Sequence, residues 1–131
     1  MQKTIFKILT LTQWEDFQSK GVFCGSADDK RDGFIHLSGA AQVQGTLDKH
    51  YCSEKTGGAD IIVAAVNADT LGSDLKYERS RGGALFPHLF SDLPQSALTR
   101  HWVLSIGEDG RYSAGEAKLL SNSNLIPKDI E

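Results

Sequence analysis

The run Asp60-Ile-Ile-Val-Ala-Ala-Val66 has the length and the β-branched composition of a buried strand. On both sides of it, β-branched and aromatic residues between turn signals predict further extended segments. They lie at residues 4–9, 34–37, 75–78, 84–90 and 98–106. The sequence therefore predicts a sheet structure with at least five strands.

A first helix is predicted between the first two of these strands. Thr12-Gln-Trp-Glu15 has the spacing of a capping box, so we expect the helix to cover residues 12–19. Trp14 and Phe17 are three residues apart and would share its buried face, and Gly21 is a natural C-terminal stop.

A second helix is predicted over residues 39–51, with Ser38 as its N-cap. Val43 and Leu47 belong to its apolar stripe, which indicates packing against the core. The polar run at 28–33 that precedes this region is predicted to be a loop. Helices and strands of these lengths make the predicted class α+β.

Length and composition favour one domain. The chain has 131 residues, of which 40% are apolar and 24% charged, as in ordinary globular proteins. We assign residues 1–112 to a single domain and residues 113–131, where the composition turns polar, to a C-terminal tail. We find no internal repeat.

Charge and cysteine usage limit the class of partner. A net charge of −3 gives no general attraction for DNA or for an anionic membrane, so an anion site would have to be local. The N-terminus lacks a signal-peptide core and no segment is long and apolar enough for a membrane span. We expect a cytoplasmic protein, a monomer or weak dimer, with Cys24 and Cys52 reduced.

The stretch Gly33-Phe-Ile-His-Leu-Ser38 is the first candidate for a binding site. Side chains alternate along a strand, so His36 and Ser38 would face the same side. A histidine and a hydroxyl beside a helix N-terminus suit an anion or a ribose. The alternative is that Ser38 only caps the helix and that His36 bonds a neighbouring group.

The segment Glu78-Arg-Ser-Arg-Gly-Gly83 is the second candidate. Arg79 and Arg81 can hold phosphate or carboxylate groups, and the two glycines let the backbone approach a ligand. The same composition is also typical of an exposed turn without a ligand.

The stretch Leu85-Phe-Pro-His-Leu-Phe90 is the third. Pro87 withholds an amide, which favours an edge strand or a bend and would direct the His88 ring outward. A lone histidine is more often structural than catalytic, so the case depends on His88 meeting His36. The four histidines show no metal-ligand spacing, and we predict no metal site.

These motifs together resemble the small bacterial DUF952 family of unknown function. The resemblance covers about residues 3–106 and includes the first strand, both histidine stretches, Gln42 and Leu93-Pro94. It implies a fold related to ADP-ribosyltransferases, with a split, curved pair of sheets flanked by a few short helices and a nucleotide cleft between them.

A shorter similarity links Phe34-Ile-His-Leu-Ser38 to RNA 2'-phosphotransferases, which use NAD. The resemblance therefore implies NAD as a candidate cofactor, whereas RNA is a weaker candidate partner. Most DUF952 members carry a histidine where this chain has Lys7, which could instead hold a phosphate as a point charge.

The predicted site joins the three stretches in one cleft that binds a nucleotide or another phosphorylated small molecule. Two functions stay open, ADP-ribosyl or 2'-phosphate transfer and a non-catalytic ligand-sensing or protein-interaction domain. The candidate catalytic residues are His36, Glu78 and His88, and the candidate ligand-binding residues are Lys7, Ser38, Arg79, Arg81 and Phe86.

Overall fold

Short helices and antiparallel strands alternate along residues 4–79 and 83–114, the part of the chain that this computed structural model describes. The strands are β1 (Thr4–Thr10), β2 (Val22–Phe23), β3 (Ile35–His36), β4 (Ser38–Gly39), β5 (Ile61–Asn67), β6 (Leu75–Arg79), β7 (Leu85–Leu89), β8 (Leu93–Pro94) and β9 (Leu98–Leu104). The α-helices are α1 (Leu11–Lys20), α2 (Ala27–Asp32), α3 (Val43–His50) and α4 (Ser53–Thr56). This arrangement confirms the predicted mixture of several strands with a few short helices.

The strands form three sheets in which each pair is antiparallel. The largest has the order β4-β1-β5-β9, the second pairs β2 with β8, and the third has the order β3-β7-β6. β1 and β5 pair along their whole length, from Thr4 opposite Asn67 to Thr10 opposite Ile61. The predicted central strand is therefore confirmed, one residue later than expected.

Both faces of the central strands β1 and β5 are buried, whereas the outer strand β9 is partly exposed. Along β5, Ile62 and Ala64 belong to a cluster that includes α1 and the two smaller sheets, whereas Ile61 and Val63 belong to a cluster that includes α3. A strand covered on both faces has no solvent side to make polar, which explains the continuous apolar run in the sequence. The second cluster continues to Ala114, which is 1% exposed.

The N-cap of the first helix lies two residues earlier than predicted. Thr10, not Thr12, is the N-cap, since its hydroxyl accepts from the Gln13 amide at 3.1 Å while Gln13 Oε1 accepts from the Thr10 amide at 2.9 Å. Glutamine serves at the third helical position as well as glutamate does, so the predicted box with Glu15 was wrong. Gly21, with φ 81°, ends the helix as predicted.

Residues 28–33 were predicted to be a loop, but most of them belong to α2. Ser26 and Asp29 cap its first turn reciprocally, and Gly33 ends it with φ 89°. The helix is short and lacks an apolar stripe, so hydrophobic periodicity gave no signal for it. Its caps alone could have predicted it.

Ser38 does not cap a helix, so that prediction was wrong. It pairs with Phe6 of β1, and its hydroxyl lies 3.0 Å from that of Thr46 on α3. The predicted helix starts instead as a short 3-10 turn over Ala40–Gln42, and α3 follows it. The pairing with β1 is a long-range contact that local sequence cannot show.

Pro87 lies in the central strand of the three-stranded sheet, not at an edge as predicted. Its carbonyl accepts from the Leu37 amide at 3.1 Å, and the amide that proline lacks would face the same neighbour. Because β3 ends at His36, the missing amide lies just beyond the end of the β3–β7 ladder and costs that ladder few hydrogen bonds. The His88 ring is consequently buried, at 5% exposure, and the expectation that it points outward was wrong.

Several smaller features complete the described part. Residues 108–110 form a turn, in which the Gly107 amide donates to the Arg111 carbonyl at 2.8 Å. Cys24 and Cys52 are free thiols. No helix within the described ranges is long and apolar enough to cross a membrane. Residues 115–131 of the predicted tail lie outside the described residues.

Candidate functional site

A cleft of about 310 Å³ opens where β1, α2, α3 and β7 converge. It has a mixed lining of carboxylates, cations, histidines and hydroxyls. Its polar and aromatic lining includes Lys7, Asp28, Asp29, Arg31, Asp32, His36, Ser38, Lys49, His50, Tyr51, Phe86 and His88. A second depression of about 450 Å³ adjoins it, and the two share Ser26, Asp28, His50 and Tyr51.

Most of the predicted site residues meet in this cleft. His36 and His88 are opposite each other in the β3–β7 ladder, with their ring centroids 5.8 Å apart. Lys7, Ser38 and Phe86 line the same space. The two histidine stretches therefore converge, as the sequence predicted.

The segment 78–83 contributes less than predicted. Glu78 does not line the cleft but reaches it through His88, and Arg79 does not line it and donates to the Gly83 carbonyl at 2.7 Å. Arg81 lies outside the described residues. The roles predicted for these three side chains stay predictions.

Lys7 forms a buried ion pair with Asp29. The two side chains are 6% and 3% exposed, and Lys7 Nζ lies 3.1 Å from Asp29 Oδ2. Nζ also donates to the His36 carbonyl at 2.9 Å. Burial lowers the pKa of Lys7, and the attraction of Asp29 offsets part of that effect. The charge of Lys7 is thus already paired inside the protein.

Asp29 joins α2, β1 and β3. Besides Lys7, its carboxylate accepts from the amides of Ser26 and His36 and lies 2.6 Å from the Nδ1 atom of His36. Burial alone would raise the pKa of Asp29, but the bonds from His36, the charge of Lys7 and the two amides together hold it below its usual range. The carboxylate is therefore ionised and fully engaged inside the protein.

His36 lies between two carboxylates. Its Nδ1 faces Asp29 and its Nε2 lies 2.9 Å from Asp32 Oδ2, so both ring nitrogens have partners. An imidazole donates from both nitrogens only when both carry protons, whereas the neutral ring donates to one of the two. His36 is consequently held as part of the wall and has no free nitrogen for a ligand.

His88 has a different environment. Its Nδ1 lies 2.8 Å from Glu78 Oε1, and its ring stacks on that of Phe34, with the centroids 4.0 Å apart and the planes 21° apart. The stacking and the carboxylate together fix the plane and the rotation of the ring. This ring is held by one nitrogen only.

Sequence reasoning missed the acidic helix that forms one wall. Asp28, Asp29 and Asp32 all line the cleft, and they lie in the segment predicted to be a loop. Arg31 pairs there with Asp28 at 3.0 Å and Asp32 at 3.1 Å. The available signal was the Ser26-to-Asp29 spacing, which would have placed a helix N-terminus beside the strand that carries His36.

The opposite wall is the C-terminal end of α3. Lys49 and His50 lie in its last turn, and both line the cleft. Tyr51 follows, donating from its hydroxyl to the Ile8 carbonyl at 3.2 Å. Burial, reinforced by the charges of Asp29 and Asp28, raises the pKa of Tyr51 to about 12. Tyr51 is therefore a neutral hydrogen-bonding group at neutral pH.

The charges of the lining suit a ligand with more than one kind of polar group. Carboxylates accept from hydroxyl groups, and Lys49 can neutralise an anion, whereas Arg31 is already paired with Asp28 and Asp32. Among the residues that the structure describes, His, Cys, Asp and Glu side chains form no group of three able to hold a metal ion. The lining side chains offer hydrogen bonding, ion pairing and proton transfer.

One family model and the solved structures of one bacterial protein match this chain. The model of the family DUF952, described as a protein of unknown function, matches residues 8–101. The crystal structure of protein CC0527 from Caulobacter crescentus is 42% identical, with a TM-score of 0.81 over 89% of this chain and 99% of that one. The solution NMR structure of the same protein gives a TM-score of 0.74 over 86% and 94%. No curated protein matches.

Proposed function

Because the chain belongs to the DUF952 family of proteins of unknown function, we propose its function from the cleft itself: it binds a phosphorylated small molecule that carries hydroxyl groups, such as a nucleotide or a sugar phosphate. The observation that carries the proposal is the convergence of two sequence-distant histidine stretches on one mixed-charge cavity. Structural side chains seldom gather in this way around open space.

Each wall of the cleft would contact a different part of the ligand. Lys49 and His50 lie at the C-terminal end of α3 and would face the phosphate. Asp28 and Asp32 would accept from the hydroxyl groups of a ribose or another sugar. Lys7, which the sequence suggested for the phosphate, would only support the wall, because Asp29 already neutralises it.

The cleft volume limits the size of the ligand. At about 310 Å³ it is near the lower end of the range for small-molecule sites, which starts at roughly 300 Å³. A mononucleotide or sugar phosphate would fit within it. NAD carries two nucleotides, so its second half would extend into the adjoining depression beyond His50 and Tyr51.

A transferase related to ADP-ribosyltransferases is the catalytic form of this proposal. Its expected carboxylate was Glu78, which would stabilise positive charge developing on a ribose. Since Glu78 bonds His88 outside the cleft lining, its part in such a reaction would be to orient that histidine.

A non-catalytic ligand-sensing domain is the second candidate, and one observation favours it. Lys7, Asp29 and His36 bind one another, so three of the polar groups that line the cleft already serve the fold. A binding module needs only the remaining rim residues and no reacting group.

Thermal denaturation with AMP, ribose 5-phosphate, ADP-ribose and NAD tests the proposal. A ligand present at about 100 times its dissociation constant should add roughly 2.7 kcal/mol to the free energy of unfolding. Lys49→Gln should weaken the stabilisation, whereas Lys30→Gln, which removes the same charge from an α2 residue outside the cleft lining, should preserve it. Absence of stabilisation by all four compounds at millimolar concentration would reject the proposal.

The same samples separate the two candidate functions. Incubation with NAD, followed by measurement of free nicotinamide, should show release that depends on His88 if the protein is a transferase. Binding without release would favour the sensing domain.

A further inference from the structure

One nitrogen of the cleft is left without a partner. In residues 4–79 and 83–114, Nδ1 of His88 bonds Glu78, and no partner is found for Nε2. Within the same ranges no buried side-chain nitrogen or oxygen lacks a hydrogen bond, so this Nε2 must reach open space. Because His88 is only 5% exposed and lines the cleft, that space is the cleft.

His36 differs from His88 in both its exposure and the partners of its ring nitrogens. It is the more exposed of the two rings, with 38% of its side chain accessible, yet carboxylates face both of its nitrogens. His88 is nearly enclosed and has one nitrogen open. The more exposed ring, His36, therefore has no open nitrogen, whereas the nearly enclosed ring of His88, with its centroid 5.8 Å away, has one.

The tautomer of His88 follows from its partner. A carboxylate oxygen only accepts, so the Nδ1 atom beside Glu78 must donate. In the neutral ring this leaves the lone pair on Nε2, directed into the cleft. The stacked Phe34 ring prevents the imidazole from turning out of that orientation.

We propose that His88 is the general base of the cleft and that Glu78 is its positioning residue. The group it acts on is a hydroxyl of the bound molecule, or a water held beside it. The identity of that molecule rests on the proposed function, whereas the state of the ring does not.

The proton-transfer step is balanced by the two residues. The O–H bond of the hydroxyl breaks, the proton joins the lone pair of Nε2, and the bonding electrons stay on the oxygen, which becomes a nucleophile. The ring is then an imidazolium, and Glu78 stabilises its charge through Nδ1. The same proton can return to a leaving group in the following step.

Ethoxycarbonylation by diethyl pyrocarbonate, located by peptide mass spectrometry, measures which histidine has a free nitrogen. The lone pair of an unprotonated imidazole nitrogen attacks the reagent. The ligand-free protein should be modified at His88 and at the exposed His101, with His36 protected. A protein modified at His36 but not at His88 would overturn the proposal.

A nitrogen-labelled sample tests the role of Glu78. Correlation spectra should show the Nδ1–H tautomer of His88 in the native chain and a loss of that preference in Glu78→Leu, which removes the acceptor, with retention in Glu78→Gln, whose amide oxygen can still accept. A purely structural Glu78 would leave the tautomer unchanged, and this result would remove its positioning role.

Protection by AMP then separates the two proposals. If His88 reacts and AMP shields it but not His101, both stand. If His88 reacts and none of the four phosphorylated probes shields it, the proposed ligand is wrong and the assignment of the base remains. An Nε2–H tautomer in the native chain would contradict the base whatever the ligand.

Discussion

At the scale of single residues, Asp29 does most to hold the cleft together. Its carboxylate meets Lys7 from β1, Ser26 before α2 and His36 from β3. One buried group thus fixes β1 to α2 and β3, which lie further along the chain, where Asp29 is 22 residues from Lys7. Such a group is costly to leave half paired, because a charge without its partner keeps the full cost of leaving water.

Replacing Asp29 with asparagine should therefore destabilise the protein severely. Lys7 would remain buried without a counter-charge, and breaking a buried pair in this way costs about 3–5 kcal/mol. Urea denaturation measures the change, and Asp16→Asn is the control because Asp16 pairs with Lys20 on the surface. The double variant Lys7→Met, Asp29→Asn should recover part of the loss. Equal effects at Asp16 and Asp29 would contradict the buried pair.

The lowered pKa of Asp29 also predicts that the free energy of unfolding depends on pH. Its pKa in the folded protein is below the ordinary value, so its contribution is complete above about pH 5 and is lost as the pH falls toward the folded pKa. The native protein should lose stability over this acid range more steeply than the Lys7→Met, Asp29→Asn variant. Denaturation at a series of pH values gives the two slopes, and parallel slopes would show that Asp29 titrates normally.

Among the secondary-structure elements, the caps of α1 and α2 decide where these two short helices start. Thr10 and Gln13 cap α1, and Ser26 and Asp29 cap α2. Neither helix is long enough to be stable alone, so capping and packing define its limits. The predicted cap at Thr12 was plausible by spacing, but the first strand continues to Thr10, which makes Thr10 the residue at the junction.

The two threonines of α1 offer a direct test. Thr10→Ala should cost about 1 kcal/mol, because it leaves the Gln13 amide without its acceptor. Thr12→Ala changes an exposed residue inside the helix and should alter the free energy of unfolding by less than about 0.5 kcal/mol. Denaturation curves of the two variants give the change in the free energy of unfolding for each. A larger loss for Thr12 would restore the cap that the sequence predicted.

At the scale of the whole molecule, two apolar clusters cover the faces of the large sheet. The one on the α3 side includes Tyr112, which is 2% exposed although it lies beyond the last described strand. Its hydroxyl bonds Thr56 at 2.7 Å and also donates to the Ala59 carbonyl. The segment after β9 is therefore part of the core as far as Ala114.

Tyr112→Ala should accordingly cost about 3–5 kcal/mol, as for other large aromatic side chains removed from a core. Tyr112→Phe keeps the ring and should cost about 1 kcal/mol for the lost hydrogen bonds. Tyr77→Ala is the control, since Tyr77 is 41% exposed. Chemical denaturation ranks the three, and a Tyr112→Ala effect no larger than that of Tyr77→Ala would show that this segment does not support the core.

The sequence predicted features that depend on burial of continuous apolar surface. The sequence predicted β5 because a strand covered on both faces is a continuous apolar run. It predicted Gly21 as a helix end because glycine adopts the left-handed conformation required there. The sequence did not predict Asp29, whose importance comes from Lys7, 22 residues away. It also misplaced Ser38, because pairing with Phe6 competes with helix capping only in the folded chain.

An NMR titration with AMP, followed through the backbone amides, shows whether the cleft between α2 and α3 is the ligand site. Residues that line the cleft, such as Ser38, Lys49 and His88, should show saturable shift changes, with none at Val103 on the exposed surface of β9. No saturable change, or changes confined to β9, would contradict this assignment of the site.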